Sequence, residues 1–276
     1  MISTFAERLP KRVFLLAHVL LATPAIVGLA CQPAVSQEAA YEPKSGQAGK
    51  DVVWVPTPQA LVDTMLDMAD AKPGEKLMDL GSGDGRTVIT AAKRGLTAVG
   101  IEYNPDLVEL SKRTAAAEGV SDKATFEKAD LFETDLSSAD VITLFLLSSI
   151  NEKLRPIILD LKPGTRIVSN TFDMGDWEPD ETSEPVDGCS SWCRALFWVV
   201  PAKVEGRWRV GDQELELSQR YQKISGKLGS AEITDGKLKG AEISFTANGT
   251  RYTGTVSGNR IEGKGAASAP WTAERI

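Results

Sequence analysis

The stretch DLGSGDGRT, Asp79 to Thr87, limits the possible folds of this chain more than any other. It joins a short apolar run, PGEKLMDL, to a helical pattern, GRTVITAAKRG, through Gly81, Gly83 and Gly85. Glycines at such a bend permit positive φ and let the backbone approach a ligand with no Cβ in the way. The same alternation continues on both sides. PTPQALVDTMLDMADA places Leu61, Met65, Met68 and Ala69 on one helical face behind Pro56 and Pro58. LTAVGIEY reads as a second strand, and NPDLVELSKRTAAAEG as a helix with Asn104 as N-cap and Pro105 at its first position. KATFEKAD and DVITLFLL add strands, NEKLRPIILDL a helix, and PGTRIVSNTF and RALFWVV further strands. Regular strand–helix alternation predicts an α/β fold, a mostly parallel sheet with helices on both faces.

The spacing at the turn narrows the ligand. A dinucleotide fingerprint needs G-x-G-x-x-G, and a P-loop needs G-K-[ST]; the chain has G-x-G-x-G with Asp79 just ahead of it. An acid there repels a pyrophosphate and attracts an ammonium group. S-adenosylmethionine carries an ammonium, a sulfonium and a carboxylate suited to the following helix N-terminus. Glu102, ending the second strand, is placed to accept bonds from ribose hydroxyls, and Asp130, ending the third, to contact the adenine amine. The alternative is a glycine-rich strand–helix turn that holds nothing.

Composition removes several other chemistries. The net charge of −7 does not mark a nucleic-acid binder. The only histidine, His18, lies in the N-terminal apolar run, so the folded domains have none for a Ser-His-Asp or Cys-His arrangement or for an imidazole metal site. Cys31, Cys189 and Cys193 are too few for a four-thiolate site, and no metal is expected. CSSWC can close a disulfide in an oxidising compartment if it makes a turn; in the cytosol two reduced thiols are expected.

MISTFAERLPKR followed by VFLLAHVLLATPAIVGLAC has the basic head and apolar middle of an export signal over residues 1–36. Three outcomes stay open: cleavage before Gln37, lipidation at Cys31, or a retained anchor helix. Basic residues ahead of the run favour a domain exported or tethered at the cell envelope, with an inner-membrane anchor facing the cytosol as the alternative. Residues 37–50 are polar and rich in small residues, and read as a flexible linker. Residues 51–203 form the α/β domain. Residues 204–276 change character to short strands and glycines and predict a small antiparallel β domain, with turns at Asp235-Gly236 and Asn248-Gly249 and Trp208 and Trp271 plugging its ends. GKLGSAEI and GKLKGAEI repeat at the scale of a hairpin.

LMDLGSGDGRTVITAAKRGLTAVGIEYNPDLVELSKR resembles motif I and post-motif I of class I methyltransferases, a likeness covering roughly residues 52–200. VPTPQALVDTML, DLGSGDGR and IEYNPDLV are similar to membrane-associated protein-lysine methyltransferases of mitochondria and their bacterial relatives, whose mitochondrial members methylate the c subunit of ATP synthase and the adenine nucleotide translocase. The resemblance implies a Rossmann-like sheet of seven strands, S-adenosylmethionine as cofactor, a protein lysine as acceptor, and Asp79, Gly81, Gly83, Gly85, Glu102 and Asp130 as cofactor positions. The N-terminus and the C-terminal extension depart from that pattern. A small-molecule methyltransferase and a non-catalytic exported binding protein are the rival readings.

Without histidine, proton handling falls to carboxylates, hydroxyls, amides and carbonyls. Class I enzymes place substrate-facing residues after the fourth strand, where this chain has Ser148, Ser149 and Asn151; helix capping is the competing role. After the fifth strand comes NTFDMGDWEPDETSEPVDG, whose acids would attract a cationic acceptor or simply be solvated. Asp173 and Trp177 are its preferred functional members, being nearest the strand end.

Overall fold

The computed structural model describes residues 41–265 and 269–276. The expected signal or anchor, His18 and Cys31 lie outside the described residues. Among the described residues no helix is long and apolar enough to cross a membrane.

Helix α1 (Gln59–Met68) starts behind Pro58 and buries Leu61, Val62, Met65 and Leu66. The sheet contains β1 (Lys76–Leu80), β2 (Thr97–Glu102), β3 (Ala124–Lys128), β4 (Val141–Leu144), β5 (Arg166–Asn170), β6 (Glu181–Thr182) and β7 (Ala195–Val199). Its order is β3-β2-β1-β4-β5-β7-β6. The first five run parallel, while β7 is antiparallel to both β5 and β6. The connecting helices are α2 (Arg86–Lys93), α3 (Pro105–Ala117) and α4 (Ser148–Leu159). In α3 the Asn104 side chain accepts from the Asp106 amide at 2.9 Å, the expected cap.

Successive strand residues point to opposite faces. Leu77, Ala98 and Val141 pack with α1, α2 and α3, whereas Met78, Val99 and Ile142 pack with α4 and the 129–139 connection. Both faces of the sheet are thus covered, which is what a parallel sheet built from apolar runs requires. The helix α4 begins earlier than the pattern in NEKLRPIILDL suggests, taking in Ser148 and Ser149.

The C-terminal segment is a closed antiparallel barrel of β8 (Gly206–Val210), β9 (Gln213–Arg220), β10 (Lys223–Leu228), β11 (Ala231–Lys239), β12 (Glu242–Ala247), β13 (Thr250–Ser257), β14 (Arg260–Lys264) and β15 (Pro270–Arg275). Alternate residues fill it: Trp208, Leu215, Leu217, Phe245 and Ile261 are almost wholly buried, and Trp271 meets Phe245 edge to face at 5.8 Å. Asn248-Gly249 is the β12–β13 turn, with both residues at positive φ. Asp235-Gly236 is not a turn. It lies inside β11, where the pairing register shifts by one residue, and Asp235 at φ 52° accommodates the bulge. The two GKL repeats each span a strand end and the following hairpin turn, at Gly229 and Gly240.

The barrel and the sheet meet along the connection after β5. Trp177 stacks on Tyr221 at 5.9 Å, and the Gln222 side chain donates to the Glu178 carbonyl at 2.8 Å. Ala202 N–H donates to the Gly240 carbonyl at 2.8 Å.

Candidate active site

A cavity of about 410 Å³ opens at the carboxyl edge of the sheet, over the ends of β1, β2 and β4. Its floor is the glycine turn. Gly81, Gly83 and Gly85 all have positive φ, 77°, 54° and 80°. The amides of Gly81 and Ser82 both donate to the Ile101 carbonyl, which folds the turn back against β2. A Cβ on Gly83 would come within 2.5 Å of the Trp54 indole nitrogen, so this position has room for backbone and ligand only.

Three carboxylates mark the cavity, as the strand-end reading expected. Asp79 is 6% exposed and its Oδ1 accepts from the Thr143 hydroxyl on the adjacent strand at 2.6 Å. Burial pushes its carboxyl up to about 7, the Asp84 and Glu102 charges add to the rise, and the Thr143 hydrogen bond opposes it. No ion pair reaches Asp79 among the described residues, which leaves its charge to a cationic ligand. Glu102 accepts from the Gly83 amide at 3.0 Å and the Asn104 amide at 2.8 Å, fixing its carboxylate over the turn. Asp130 accepts from the Phe132 amide at 3.0 Å and pairs with Lys50, and the hydrogen bond from Lys50 holds its carboxyl below the usual range.

Lys50 belongs to a strap that crosses the cavity. Gly46 N–H donates to the Trp54 carbonyl at 2.8 Å and Trp54 N–H to the Gln47 carbonyl at 2.9 Å, closing residues 46–54 into a loop. The Lys50 ammonium also lies 4.7 Å from the centre of the Tyr103 ring. Residues 47–50, expected as part of a flexible linker, therefore form cavity wall. The only other basic side chain in the lining, among the described residues, is Arg86, held by Asp84 and the Thr57 carbonyl.

The cavity's other end lies beyond β4 and β5 and is aromatic. Phe145 stacks on Phe172 with ring centres 6.1 Å apart and meets Trp192 edge-on at 6.1 Å. Leu147 and Trp192, 43% exposed each, form the rim here. Cys189 and Cys193 are disulfide-bonded, so the turn that CSSWC needs is present.

None of Ser148, Asn151, Asp173 or Trp177 lines the cavity. Ser148 opens α4, and the wall there is Leu147 and Ile150. Asn151 is fully buried and donates to the Phe172 and Asp173 carbonyls at 3.1 Å each, shaping the loop that carries Phe172. Asp173 is exposed, its carboxylate turned back toward the Gly175 amide. Trp177 has no exposed surface and packs between Trp198 and Tyr221. The acids around it serve the barrel: Asp176 binds Arg220 and the Tyr221 hydroxyl, Glu178 binds Lys223, and Asp180 faces Lys237. Phe145, Phe172 and Trp192 were not singled out from the sequence. The first two follow strand ends at the edge where ligands bind, which is the signal that finds them.

The cofactor positions fit S-adenosylmethionine. Asp79 would take the ammonium, the α2 N-terminus the carboxylate, Glu102 the ribose hydroxyls and Asp130 the adenine side. With the nucleoside over β2 and β3, the reactive sulfonium end would face β4 and the aromatic wall.

The α/β part of the chain is similar to known methyltransferases. The model of the ANTKMT methyltransferase domain family matches residues 79–181. A protein-lysine N-methyltransferase of Saccharolobus islandicus is 41% identical over 140 residues, covering 50% of this chain and 87% of the relative. The adenine nucleotide translocase lysine N-methyltransferase of Mus musculus is 36% identical over 120 residues, 43% of this chain and 52% of that protein. Among solved structures, an RNA methyltransferase from Salinibacter ruber in complex with S-adenosyl-L-homocysteine is 47% identical with a TM-score of 0.51, covering 54% of this chain and 96% of that one.

Proposed function

The chain belongs to the ANTKMT methyltransferase-domain family and is an S-adenosylmethionine-dependent methyltransferase, and from that premise we propose that its acceptor is the side-chain amine of a protein lysine. The observation that carries this reading is the Phe145–Phe172–Trp192 wall at the sulfonium end of the cavity. Aromatic faces hold an alkyl stem and attract its cationic head. The names of the archaeal and mouse relatives point to the same acceptor.

When bound, S-adenosylmethionine supplies a methyl group on a sulfonium, open to in-line displacement. The rings attract the amine as a cation; before transfer it must lose its proton, and desolvation in the apolar channel favours that loss. Phe145, Phe172 and Trp192 supply that channel, while Asp79 and Glu102 hold the donor end in register. The proton leaves to water at the rim, where the described residues supply no histidine to take it.

An RNA acceptor is the rival that the Salinibacter relative suggests. It needs free cations along a groove. Here Lys50 and Arg86, the basic side chains of the lining, are both paired, and the net charge is −7. Incubating the purified chain with labelled cofactor and an extract from a deletion strain separates the readings. Methyl-lysine in hydrolysed protein is the expected product. Label confined to RNA or to small metabolites would overturn the lysine reading.

The N-terminal segment supports a second proposal, that the enzyme is exported or tethered at the cell envelope. The Cys189–Cys193 bond is the chemistry of an oxidising compartment and agrees with it. An alkaline phosphatase fused after Ile276 should be active; a cytosolic fluorescent reporter that glows at the same position would place the enzyme inside.

A further inference from the structure

We propose that Trp192, carried by the Cys189–Cys193 loop, is the outer wall of the acceptor channel, and that closure of this loop by the disulfide sets how tightly the acceptor side chain is held. The indole is 43% exposed at the cavity rim although it is the largest apolar group in its loop. Its backbone has φ 55°, a left-handed conformation that is unfavourable for a non-glycine residue. A bulky residue held in such a conformation and kept out of the core is a residue placed for contact with something else. What it faces is Phe145, and behind it Phe172, so the three rings line one side of the opening.

Backbone hydrogen bonds and one covalent bond fix the indole. On one side, Arg194 offers its carbonyl to the Thr171 amide at 2.8 Å, tying the loop to the end of β5 beside Phe172. On the other, the bond between Cys189 and Cys193 closes a ring of five residues around Trp192. Reduction by a dithiol breaks only the covalent bond. The disulfide takes up two electrons and two protons to give two thiols, and the dithiol becomes its own cyclic disulfide. Trp192 is then held by backbone hydrogen bonds alone, the Cys193 carbonyl accepting from the Val186 amide at 3.0 Å and the Arg194 carbonyl from the Thr171 amide. Asp79 and Glu102 lie on β1 and β2, and Asp130 lies just beyond β3, so cofactor affinity is independent of the loop.

The inference rests on the amine reading for the chemical class of its probe, n-butylammonium, which has the chain and head of a lysine side chain. The full-length protein is loaded with S-adenosylhomocysteine, and its affinity for n-butylammonium is measured by ligand-observed magnetic resonance. Trp192→Ala should weaken that binding by roughly tenfold, the size of one well-placed aromatic–cation contact. Trp192→Phe should recover most of the loss, and S-adenosylhomocysteine affinity should stay within about twofold. Dithiothreitol, or Cys189→Ser with Cys193→Ser, should weaken butylammonium binding in the parent protein and have no further effect in Trp192→Ala. Equal butylammonium affinity in parent and Trp192→Ala would overturn the inference while leaving the lysine reading in place. A fall in S-adenosylhomocysteine affinity of the same size would also overturn it, by making Trp192 a structural residue. A parent protein that binds S-adenosylhomocysteine but no butylammonium would remove both.

Discussion

Asp79, one residue before the end of β1, has 6% of its surface exposed, and burial pushes its carboxyl up to about 7. In the unfolded chain the same group ionises near 3.8. Between about pH 4 and pH 7 the folded protein keeps a proton that the unfolded chain has released, so stability falls as pH rises through that window. At ~1.4 kcal/mol per tenfold, the loss amounts to roughly 4 kcal/mol in the ligand-free protein. A cofactor ammonium bound beside Asp79 would reverse the preference, because it favours the ionised carboxylate. Cofactor affinity should therefore rise as pH increases through 7, and thermal protection by cofactor should be larger at about pH 8 than at about pH 6. Asp79→Asn removes the titration. It should raise the melting temperature of the ligand-free protein at about pH 8, weaken cofactor binding there by at least about tenfold, and abolish the pH dependence of both. Melting curves and calorimetric titrations at the two pH values check this; an unchanged pH slope in the variant would sink it. Asn151 gives a second residue-scale test. Asn151→Ala takes a donor from the partly buried Phe172 and Asp173 carbonyls, leaving Phe172 only the Ser169 hydroxyl, and should cost about 1–3 kcal/mol in chemical denaturation.

The strap over the cavity shows how two elements distant in sequence make one binding surface. Trp54 lies where a Cβ on Gly83 would go, so Gly83→Ala should displace the strap and weaken cofactor binding by roughly tenfold or more. Trp54→Ala removes the obstructing indole. If the clash is the cause, adding it to Gly83→Ala should restore part of the affinity, which calorimetry of the four-membered cycle measures. Simple additivity of the two losses would refute the steric account. The strap also marks where sequence reading stopped. The glycine turn, α1, α3 and its Asn104 cap carry their instructions locally, in spacing and capping residues, and were legible. Residues 41–50 carry no periodic pattern; their order comes from Trp54, Asp130 and Tyr103, partners up to 80 residues away. The acids of the 173–187 segment misled in the opposite direction. Their charge is real, but Arg220, Lys223 and Lys237 neutralise members of the cluster from the barrel, a pairing that no local window contains. Trp192 was hidden because a single aromatic between two cysteines has no period to detect.

At the scale of the molecule, the barrel braces the connection that leads from β5 to the Trp192 loop. Tyr221 is the centre of that brace, stacked on Trp177 and donating its hydroxyl to Asp176 at 2.9 Å. Removing the ring leaves the buried face of Trp177 without its cover. Tyr221→Ala should cost about 2–4 kcal/mol and split a single cooperative unfolding transition into two, seen in differential scanning calorimetry. A single transition with an unchanged midpoint would show that the two parts do not support each other. Closure of the barrel has a separate consequence, for crowding. A cylinder of strands has no terminal strand, so it offers no unpaired backbone to a neighbouring chain. The free edges of the sheet are β3, which carries Glu127 and Lys128, and β6, which is two residues long and followed closely by Pro185. Charge, brevity and proline are each features that discourage strand addition. Copies brought together on a bilayer, as the proposed N-terminal tether would do, would collide often and find little on one another to template amyloid-like growth.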